Sequence, residues 1–307
     1  PERGVAYFAE TFDEMSNFDR DSRELLISEI TDQPEAWWAR LSPDADFAIN
    51  LRLAKAQAYV AQLQSAYDHF QALLDHEKAV GMDRVDVLVQ LGNVEVRLGN
   101  QIDAAEAHFE QAFDVSQSFN DAQGMVESEH ALAWLQRLKG KWGEAALHYR
   151  SALQNVNLIP DEKVRIKNRA WLENGLGYVE LLLGHTQEAE THCLQALELW
   201  QRLHATLQLG NIYSTLGEVM TGQDRYAEAL HYYHQALSIY QEQRTWEGQV
   251  IVYHQIAYSL WCAGDFQGAW DYMIKSRKLA TEYAIAREFP AIFHLSLIHI
   301  SEPTRPY

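Results

Sequence analysis

The chain is short of proline and of long apolar runs, and both shortages narrow the range of folds. Its 307 residues include 7 prolines, and between Pro43 and Pro290 there is only Pro160. That span is rich in residues that favour helices and has little of the alternation typical of strands. No apolar run approaches the length of about 18 residues that a membrane-spanning helix needs. The sequence therefore predicts a helical protein that does not cross a membrane.

The chain is also short of basic residues. It has 25 lysines and arginines against 43 aspartates and glutamates, which gives a formal net charge of −18. A protein that binds the phosphate backbone needs the opposite balance, because its cations replace the counterions that nucleic acid releases. The composition therefore predicts no nucleic-acid partner for this segment.

What the chain does contain is a set of small residues that recurs at a period of about forty, which is typical of stacked helical repeats. In the four clearest copies, 12 positions separate the first small residue from the second. The first small residues are Ala133, Gly177, Gly217 and Ala257, the second are Ala145, Ala189, Ala229 and Ala269, and the third are Ala152, Ala196 and Ala236. Small side chains let two helices approach closely, so we expect these positions to mark helix contacts.

Each copy predicts two antiparallel helices joined by a short turn. In three copies the first helix ends at a glycine, and in three the second helix has a glutamate in its first turn. The glycines are Gly140, Gly184 and Gly264, and the glutamates are Glu144, Glu188 and Glu228. Glycine readily adopts the left-handed conformation that ends a helix. A glutamate in the first turn of the following helix complements the helix dipole. Weaker copies at 86–116 and 47–76, the latter without the glycine, bring the total to six units between about 45 and 283.

This pattern resembles the tetratricopeptide repeat in its longer form of about forty residues, and it covers about 240 of the 307 residues. The resemblance implies an all-α fold, a right-handed α-solenoid of stacked antiparallel helix pairs. The long form is similar to the sensor arrays of large bacterial signal-transduction ATPases and maltose-regulator-like activators. That similarity implies a cytoplasmic, non-enzymatic array that binds an inducer or a protein.

The ends of the chain are expected to differ from the repeats. Residues 1–44 predict helices at about 2–15, 20–31 and 34–41 that lack the signature. This segment is either a helical cap or the tail of a lost upstream domain.

The solenoid is predicted to span residues 45–294 and to include the start of a seventh repeat at Pro290, because proline is favoured at the first position of a helix. Residues 295–307 resemble the translation of a sequencing adapter. We therefore expect this last segment to be an artefact and the chain to be a fragment.

Few residues point to chemistry of their own. The chain has no phosphate-binding loop, dinucleotide fingerprint or zinc-protease motif, so the sequence predicts no enzyme, no catalytic residue and no cofactor. His231 and His234 lie three apart on one helix, but a closed zinc site needs four converging ligands, and we expect no metal. Cys193 and Cys262 are two repeats apart, too far for a disulfide, and are expected to be buried thiols.

In a solenoid of this kind the first helix of each pair lines the concave groove, and its inward positions can be counted from the small residues. The candidate partner-binding residues are Arg52, Lys55, Arg97, His130, Trp134, Arg137, Asn174, Tyr178, Asn211, His254 and Tyr258. Trp171, Glu218 and Trp261 lie at inward positions as well. Arginine and aromatic residues are enriched at interface hot spots. The alternatives are that the aromatic residues pack between adjacent first helices and that the basic residues form a solvated face with ion pairs inside each repeat.

Three functions therefore remain open. The groove could bind a peptide or partner domain whose acidic end lies near Arg52, Lys55, Arg97 and Arg137. The array could instead sense an inducer inside a larger ATPase or transcription regulator. A self-associating structural solenoid is the third alternative.

Overall fold

The computed structural model describes residues 20–33, 39–99 and 101–283, and these residues form helices joined by short turns and bends. The chain divides into two compact units, Pro1–Asn168 and Arg169–Tyr307. The helices that begin in the first unit are α1 (Arg20–Thr31), α2 (Pro43–Tyr59), α3 (Leu63–Leu74), α4 (Gly81–Leu98), α5 (Ile102–Ser118), α6 (Ala122–Leu138), α7 (Trp142–Asn155), a short 3₁₀ turn (Val156–Leu158) and α8 (Glu162–Leu182), which continues into the second unit. The others are α9 (Thr186–Arg202), α10 (Thr206–Gly222), α11 (Tyr226–Glu242), α12 (Trp246–Cys262) and α13 (Phe266–Glu282).

From α2 onward the described helices form six successive pairs, and the predicted all-α fold of stacked helix pairs is confirmed. The first unit contains the pairs α2/α3, α4/α5 and α6/α7. The second contains α10/α11, α12/α13 and most of α8/α9. Among the described residues, no helix combines the length and apolarity needed to cross a membrane.

The small residues lie where the two helices of a pair meet. A Cβ atom added to Gly177 would come within 2.6 Å of the Cys193 sulfur, and one added to Gly217 would overlap the ring of Tyr233. The signature residues are all buried: Ala133, Ala145, Ala152, Gly177, Ala189, Ala196, Gly217, Ala229, Ala236, Ala257 and Ala269. Close packing at these positions explains why the small residues recur with the repeat.

The turn within each pair needs one residue in the left-handed conformation. Gly140, Gly184 and Gly264 supply it with φ angles of +74°, +85° and +87°, as the sequence predicts. The first pair, which lacks the glycine, uses Ala61 at +65°, and the fifth pair uses Asp224 at +59°. This conformation is unfavourable by roughly 1–2 kcal/mol for a residue with a Cβ atom. The turns at Ala61 and Asp224 therefore lower the stability of the folded chain.

The contact between the two helices of a pair changes chemistry along the chain. In the second pair Nδ1 of His108 lies 2.8 Å from the buried Glu95 carboxylate, and in the fourth pair Nδ1 of His192 lies 2.7 Å from Glu173. In the last two pairs the repeat positions of Glu173 and His192 hold the ring pairs Tyr213–Tyr232, with centroids 6.1 Å apart, and Tyr253–Tyr272, with centroids 6.0 Å apart. The helices of the second and fourth pairs are therefore joined by hydrogen-bonded polar side chains, and those of the last two pairs by aromatic rings.

The N-terminal prediction is partly correct. Helix α1 coincides with the helix expected at 20–31, but residues 39–41 form a turn and a bend instead of the end of a helix at 34–41. The helix expected at 2–15, the start of a seventh repeat at Pro290 and the adapter-like residues 295–307 lie outside the described residues.

The two cysteines differ in their surroundings. Cys193 is a buried free thiol in the core of the second unit, as expected, and burial raises its pKa. Cys262 is exposed, so the prediction of a buried thiol is wrong there. It is the last residue of α12, where the side chain lies beyond the contact between helices.

Candidate partner-binding surface

The predicted groove residues lie on the first helices of the pairs, and we call the side of these helices that carries them the first-helix face. In the first unit two basic residues of this face tie α2 to α4. The Lys55 ammonium lies 2.5 Å from the Asp86 carboxylate, and the Arg97 guanidinium donates a hydrogen bond to the carbonyl oxygen of Ala58 at 2.5 Å. Lys55 therefore forms an ion pair with the next repeat, whereas the alternative drawn from the sequence was ion pairs within one repeat.

The other predicted residues of the first unit are half-buried. Arg52 donates to the carbonyl oxygen of Ala48 on its own helix at 3.3 Å. Trp134 packs against the apolar core of α4, α5 and α6, which supports the packing alternative for this residue. His130 lies near Arg137. Burial lowers the pKa of His130 to about 4, and the positive charge of Arg137 contributes to the shift.

Acidic residues that the sequence analysis missed lie on the same face. Glu127 of α6 accepts a hydrogen bond from Gln123 at 2.9 Å. Burial raises the pKa of the Glu127 carboxyl, and the nearby Asp86 carboxylate raises it further. The first-helix face of the first unit is therefore a mixed surface of both charges instead of a purely basic stripe.

The ends of the first helices in this unit carry a second set of residues. Tyr59 closes α2, Arg97 is next to last in α4, and Leu138 closes α6; all three are exposed, Tyr59 at 51% and Leu138 at 54%. Each lies five positions after the first small residue of its repeat. We call these three residues the rim row. The sequence analysis found Arg97 and missed the other two, although the shared repeat position was a signal that could have found them.

In the second unit the predicted residues are distributed over α8, α10 and α12. Asn174, Tyr178 and His254 are half-buried, and burial lowers the pKa of His254. Asn211 is held in place because its side-chain oxygen accepts a hydrogen bond from the Tyr240 hydroxyl at 2.6 Å. Tyr258 is 55% exposed. Of these five residues, Tyr258 offers the largest exposed apolar surface to a partner.

An amide network joins α10 to α12 on this face. The Ser214 hydroxyl donates to the Gln255 side-chain oxygen at 2.7 Å, and the Gln255 amide nitrogen donates to the Glu218 carboxylate. Ser214 and Gln255 were missed, because their roles depend on how neighbouring repeats stack. Two tryptophans contact the second helix of their own pair, namely Trp171 edge-on to Trp200 at 5.1 Å and Trp261 edge-on to Phe266 at 4.8 Å, whereas the alternative predicted packing between adjacent first helices.

No candidate metal centre is found in the part of the chain that the structure describes, because no three ligating side chains converge there. His231 and His234 are both exposed on α11 and lie beside the rings of Tyr232 and Tyr272 at 6.0 and 6.4 Å.

Comparison with known families decides the identity of the repeat. A family model described as the tetratricopeptide repeat matches residues 83–157, 168–242 and 208–282, which is more than half of the chain. The chain belongs to the tetratricopeptide repeat family. Its members are helical-repeat scaffolds for protein interaction and are generally not enzymes. No curated protein sequence matches the chain significantly.

Solved structures of tetratricopeptide repeat proteins show the same fold. A Rap protein complexed with Competence and Sporulation Factor shares 15% identity with a TM-score of 0.63, and the match covers 98% of each chain. NprR in complex with its cognate peptide NprX shares 14% identity with a TM-score of 0.64, covering 94% of this chain and 82% of NprR. A signal transduction ATPase with a tetratricopeptide repeat sensor from Pyrococcus horikoshii shares 13% identity with a TM-score of 0.64; there the match covers 95% of this chain but 47% of the ATPase.

Proposed function

We propose that this chain is an interaction scaffold whose first-helix faces bind a peptide or an extended segment of a partner protein. The observation that carries the proposal is the exposure of large side chains on these faces, namely Tyr59, Leu138 and Tyr258. Exposed aromatic and arginine side chains are the residues that contribute most to binding at protein interfaces.

Two of the structural relatives support a peptide as the partner. The Rap structure holds Competence and Sporulation Factor, and NprR holds its cognate peptide NprX. The chain matches nearly all of the Rap protein and four fifths of NprR, so the comparison involves whole repeat arrays. At 14–15% identity these two comparisons show a shared fold only. The proposal of a peptide partner therefore depends on the residues of this chain.

The two first-helix faces offer different chemistry to such a partner. In the first unit Arg97 and Arg137 suit carboxylates, and Lys55 is engaged with Asp86. In the second unit Asn174 and the exposed Tyr258 suit backbone amides and apolar side chains, because a carboxamide both donates and accepts hydrogen bonds. We propose that the acidic part of the partner lies on the first unit.

A random-peptide library displayed on phage tests this function. We expect the full chain to enrich peptides that lose at least about tenfold in affinity, or 1.4 kcal/mol, when Arg97→Glu and Arg137→Glu are combined or when Tyr258→Glu is introduced. The matched control combines Arg150→Glu and Lys278→Glu, which are exposed and lie on second helices. Failure to enrich any peptide, or equal binding to all variants, would contradict the proposal.

A second candidate function is a sensor array within a larger regulator. The likeness to the Pyrococcus horikoshii ATPase favours it, because the tetratricopeptide repeat sensor there is one part of a protein that this chain matches over about half its length. The uninterrupted reading frame around this sequence tests it. An upstream phosphate-binding loop or a downstream helix-turn-helix is expected, and a gene that encodes repeats alone would exclude this function.

A further inference from the structure

Two positions on the second helices are covered in the earlier pairs and exposed on α13, the last helix that the structure describes. One directly follows the small residue of the second helix, and the other lies seven residues later. On α13 they are Trp270, which is 48% exposed, and Arg277, which is exposed as well. In the four preceding pairs they are Glu106 and Phe113, Ala146 and Leu153, Glu190 and Leu197, and Leu230 and Leu237, all of which are buried or half-buried.

Within each unit, the stacking of one pair on the next covers these positions. Glu106 of α5 lies 2.5 Å from the Lys139 ammonium of the next pair. Glu190 of α9 accepts a hydrogen bond from Arg225 of the next pair at 2.9 Å. Leu237 of α11 is buried in the same apolar core as residues of α12. The two positions therefore mark the surface on which the first helix and the turn of the next pair pack.

On α13 the two positions and Ile274 between them form one stripe, because residues spaced by three or four positions share a face of a helix. We call Trp270, Ile274 and Arg277 the end stripe. Ile274 is 43% exposed. Within the described part of the chain, the side chains of Trp270 and Arg277 have no hydrogen bond, ion pair or ring contact. The end stripe therefore presents an exposed apolar surface beside an unpaired guanidinium.

The earlier pairs show which chemistry covers such a stripe. A glutamate at the first position contacts a cation of the next pair, and a leucine at the second position packs into an apolar core. On the end stripe the matching groups are apolar side chains against Trp270 and Ile274 and a carboxylate against Arg277. A guanidinium can bind a carboxylate with two parallel hydrogen bonds.

We propose that the end stripe binds an α-helix of a partner protein in which an acidic residue is followed by apolar residues three and seven positions later. This helix would run antiparallel to α13, as α12 does to α11 across the short turn between them. Its order then reads from Arg277 through Ile274 to Trp270. Anchors with this spacing lie on one face of a helix. The site is separate from the first-helix faces and does not depend on the proposed function.

Two other occupants match the end stripe less closely. A second copy of the stripe would bring another Lys275, Arg277 and Lys278 against these three exposed bases, and the like charges would repel each other. An anionic membrane would face a large part of a chain whose formal net charge is −18. A partner helix contacts the stripe alone, so screening weakens its repulsion by acids elsewhere on the chain.

Three fluorescein-labelled peptides test the proposal by fluorescence anisotropy with the full chain. Each has about 20 residues in an alanine-rich helical background. The first carries Glu-x-x-Leu-x-x-x-Leu, the second has lysine in place of glutamate, and the third has alanine in place of both leucines. We expect the glutamate peptide to bind at least about tenfold more tightly than either of the others.

A charge reversal with a matched control tests the contact at Arg277. Arg277→Glu should reverse the order of the glutamate and lysine peptides. Lys278→Glu makes the same change in net charge on the same helix and should leave the order as in the wild type. Lys278 lies outside the end stripe, and the matching residue of α11, Ser238, is exposed although the next pair covers that helix.

Two separate substitutions test the apolar positions. Trp270→Ser and Ile274→Ser should each weaken binding of the glutamate peptide at least threefold and change binding of the alanine peptide less. Both side chains are about half exposed, so thermal melting should show folded variants. If one variant unfolds, the other and the charge reversal at Arg277 still decide the result.

Four results would overturn the proposal. The first is equal binding of the three peptides, and the second is an unchanged preference for glutamate in Arg277→Glu. The third is self-association of the wild type in sedimentation velocity that Trp270→Ser abolishes, because a second copy would then occupy the stripe. The fourth is binding to phosphatidylserine-containing vesicles that Trp270→Ser abolishes, because the stripe would then face a membrane.

Discussion

The two units are built on one repeat but differ in what occupies its variable positions. In the first unit a buried histidine–glutamate contact ties the second helix pair, and exposed side chains of three kinds end the first helices. In the second unit a histidine–glutamate contact joins α8 to α9 as well, tyrosine pairs join the last two helix pairs, and the first helices end in Leu182, Gly222 and Cys262. Small residues at fixed spacing are enough to specify the helix pair, so the remaining positions are free to differ in chemistry.

This difference has consequences for stability. The Glu95 carboxylate is 1% exposed and depends on His108, because an unpaired charge is costly to bury. A tyrosine pair places no unpaired charge in the interior when one ring is removed. The second helix pair, tied by His108 and Glu95, should therefore be more sensitive to the loss of a single tie than the last two pairs, which are tied by tyrosines.

The largest effect is expected where the two units do not differ, at the small residues. Ala189→Asp would place a charge in the closest contact between α8 and α9, beside Gly177, and should lower the free energy of unfolding by several kcal/mol. Leu194→Asp, an exposed change on the same helix, is the control. Urea unfolding measures both, and a wild-type midpoint for Ala189→Asp would show that the assigned repeat positions are wrong.

The second prediction compares the ties directly. His108→Leu should lower the free energy of unfolding by about 3 kcal/mol, because it leaves the Glu95 carboxylate buried without its partner. Tyr232→Leu should cost only about 1 kcal/mol. Adding Glu95→Met to His108→Leu should recover most of the loss. Equal costs for the two single variants in urea unfolding would remove the distinction between the polar and the aromatic ties.

The third prediction concerns pH and compares two histidines at the same repeat position. Burial, with a contribution from Arg137, lowers the pKa of His130 to about 4, and burial alone lowers that of His254. The unfolded histidine titrates near 6.5 and so binds the extra proton first as the pH falls. The free energy of unfolding should therefore fall between about pH 6.5 and pH 4.

His130→Gln should remove about 2 kcal/mol of this pH-dependent loss, and His254→Gln should remove less. Urea unfolding at several pH values measures the slope. The exposed, non-titrating change Gln201→Ala is the control and should leave the slope unchanged. An unaltered slope in His130→Gln would show that this imidazole is not buried as described.

The smallest effect is expected at the turn of the first pair. Ala61 has a φ angle of +65°, where glycine is more favourable. Ala61→Gly should therefore raise the free energy of unfolding by up to about 1 kcal/mol. Gly140→Ala should lower it by a similar amount in the turn that already has glycine. The thermal midpoints of the two variants show whether each is stabilised or destabilised. A lower midpoint for both would contradict the left-handed conformation assigned to Ala61.

The sequence contains enough to predict the helix pairs but not the surface they present. The spacing of Ala145 from Ala189 predicts the repeat positions, because packing at these points depends on the local pattern. The pairing of Lys55 with Asp86 could not be predicted, since it depends on how one repeat stacks on the next. The exposure of Cys262 was missed because periodicity identifies the helix but not where its contact with the neighbouring helix ends.

Photo-crosslinking of a library-selected peptide tests the central claim most directly. A benzophenone residue would replace one residue of the peptide, and mass spectrometry would locate the crosslinks on the full chain. Binding by the first-helix faces predicts crosslinks in α2, α4 and α6, or in α8, α10 and α12, and their loss in the variants that abolish binding. Crosslinks confined to α3, α5, α7 and the other second helices would contradict it.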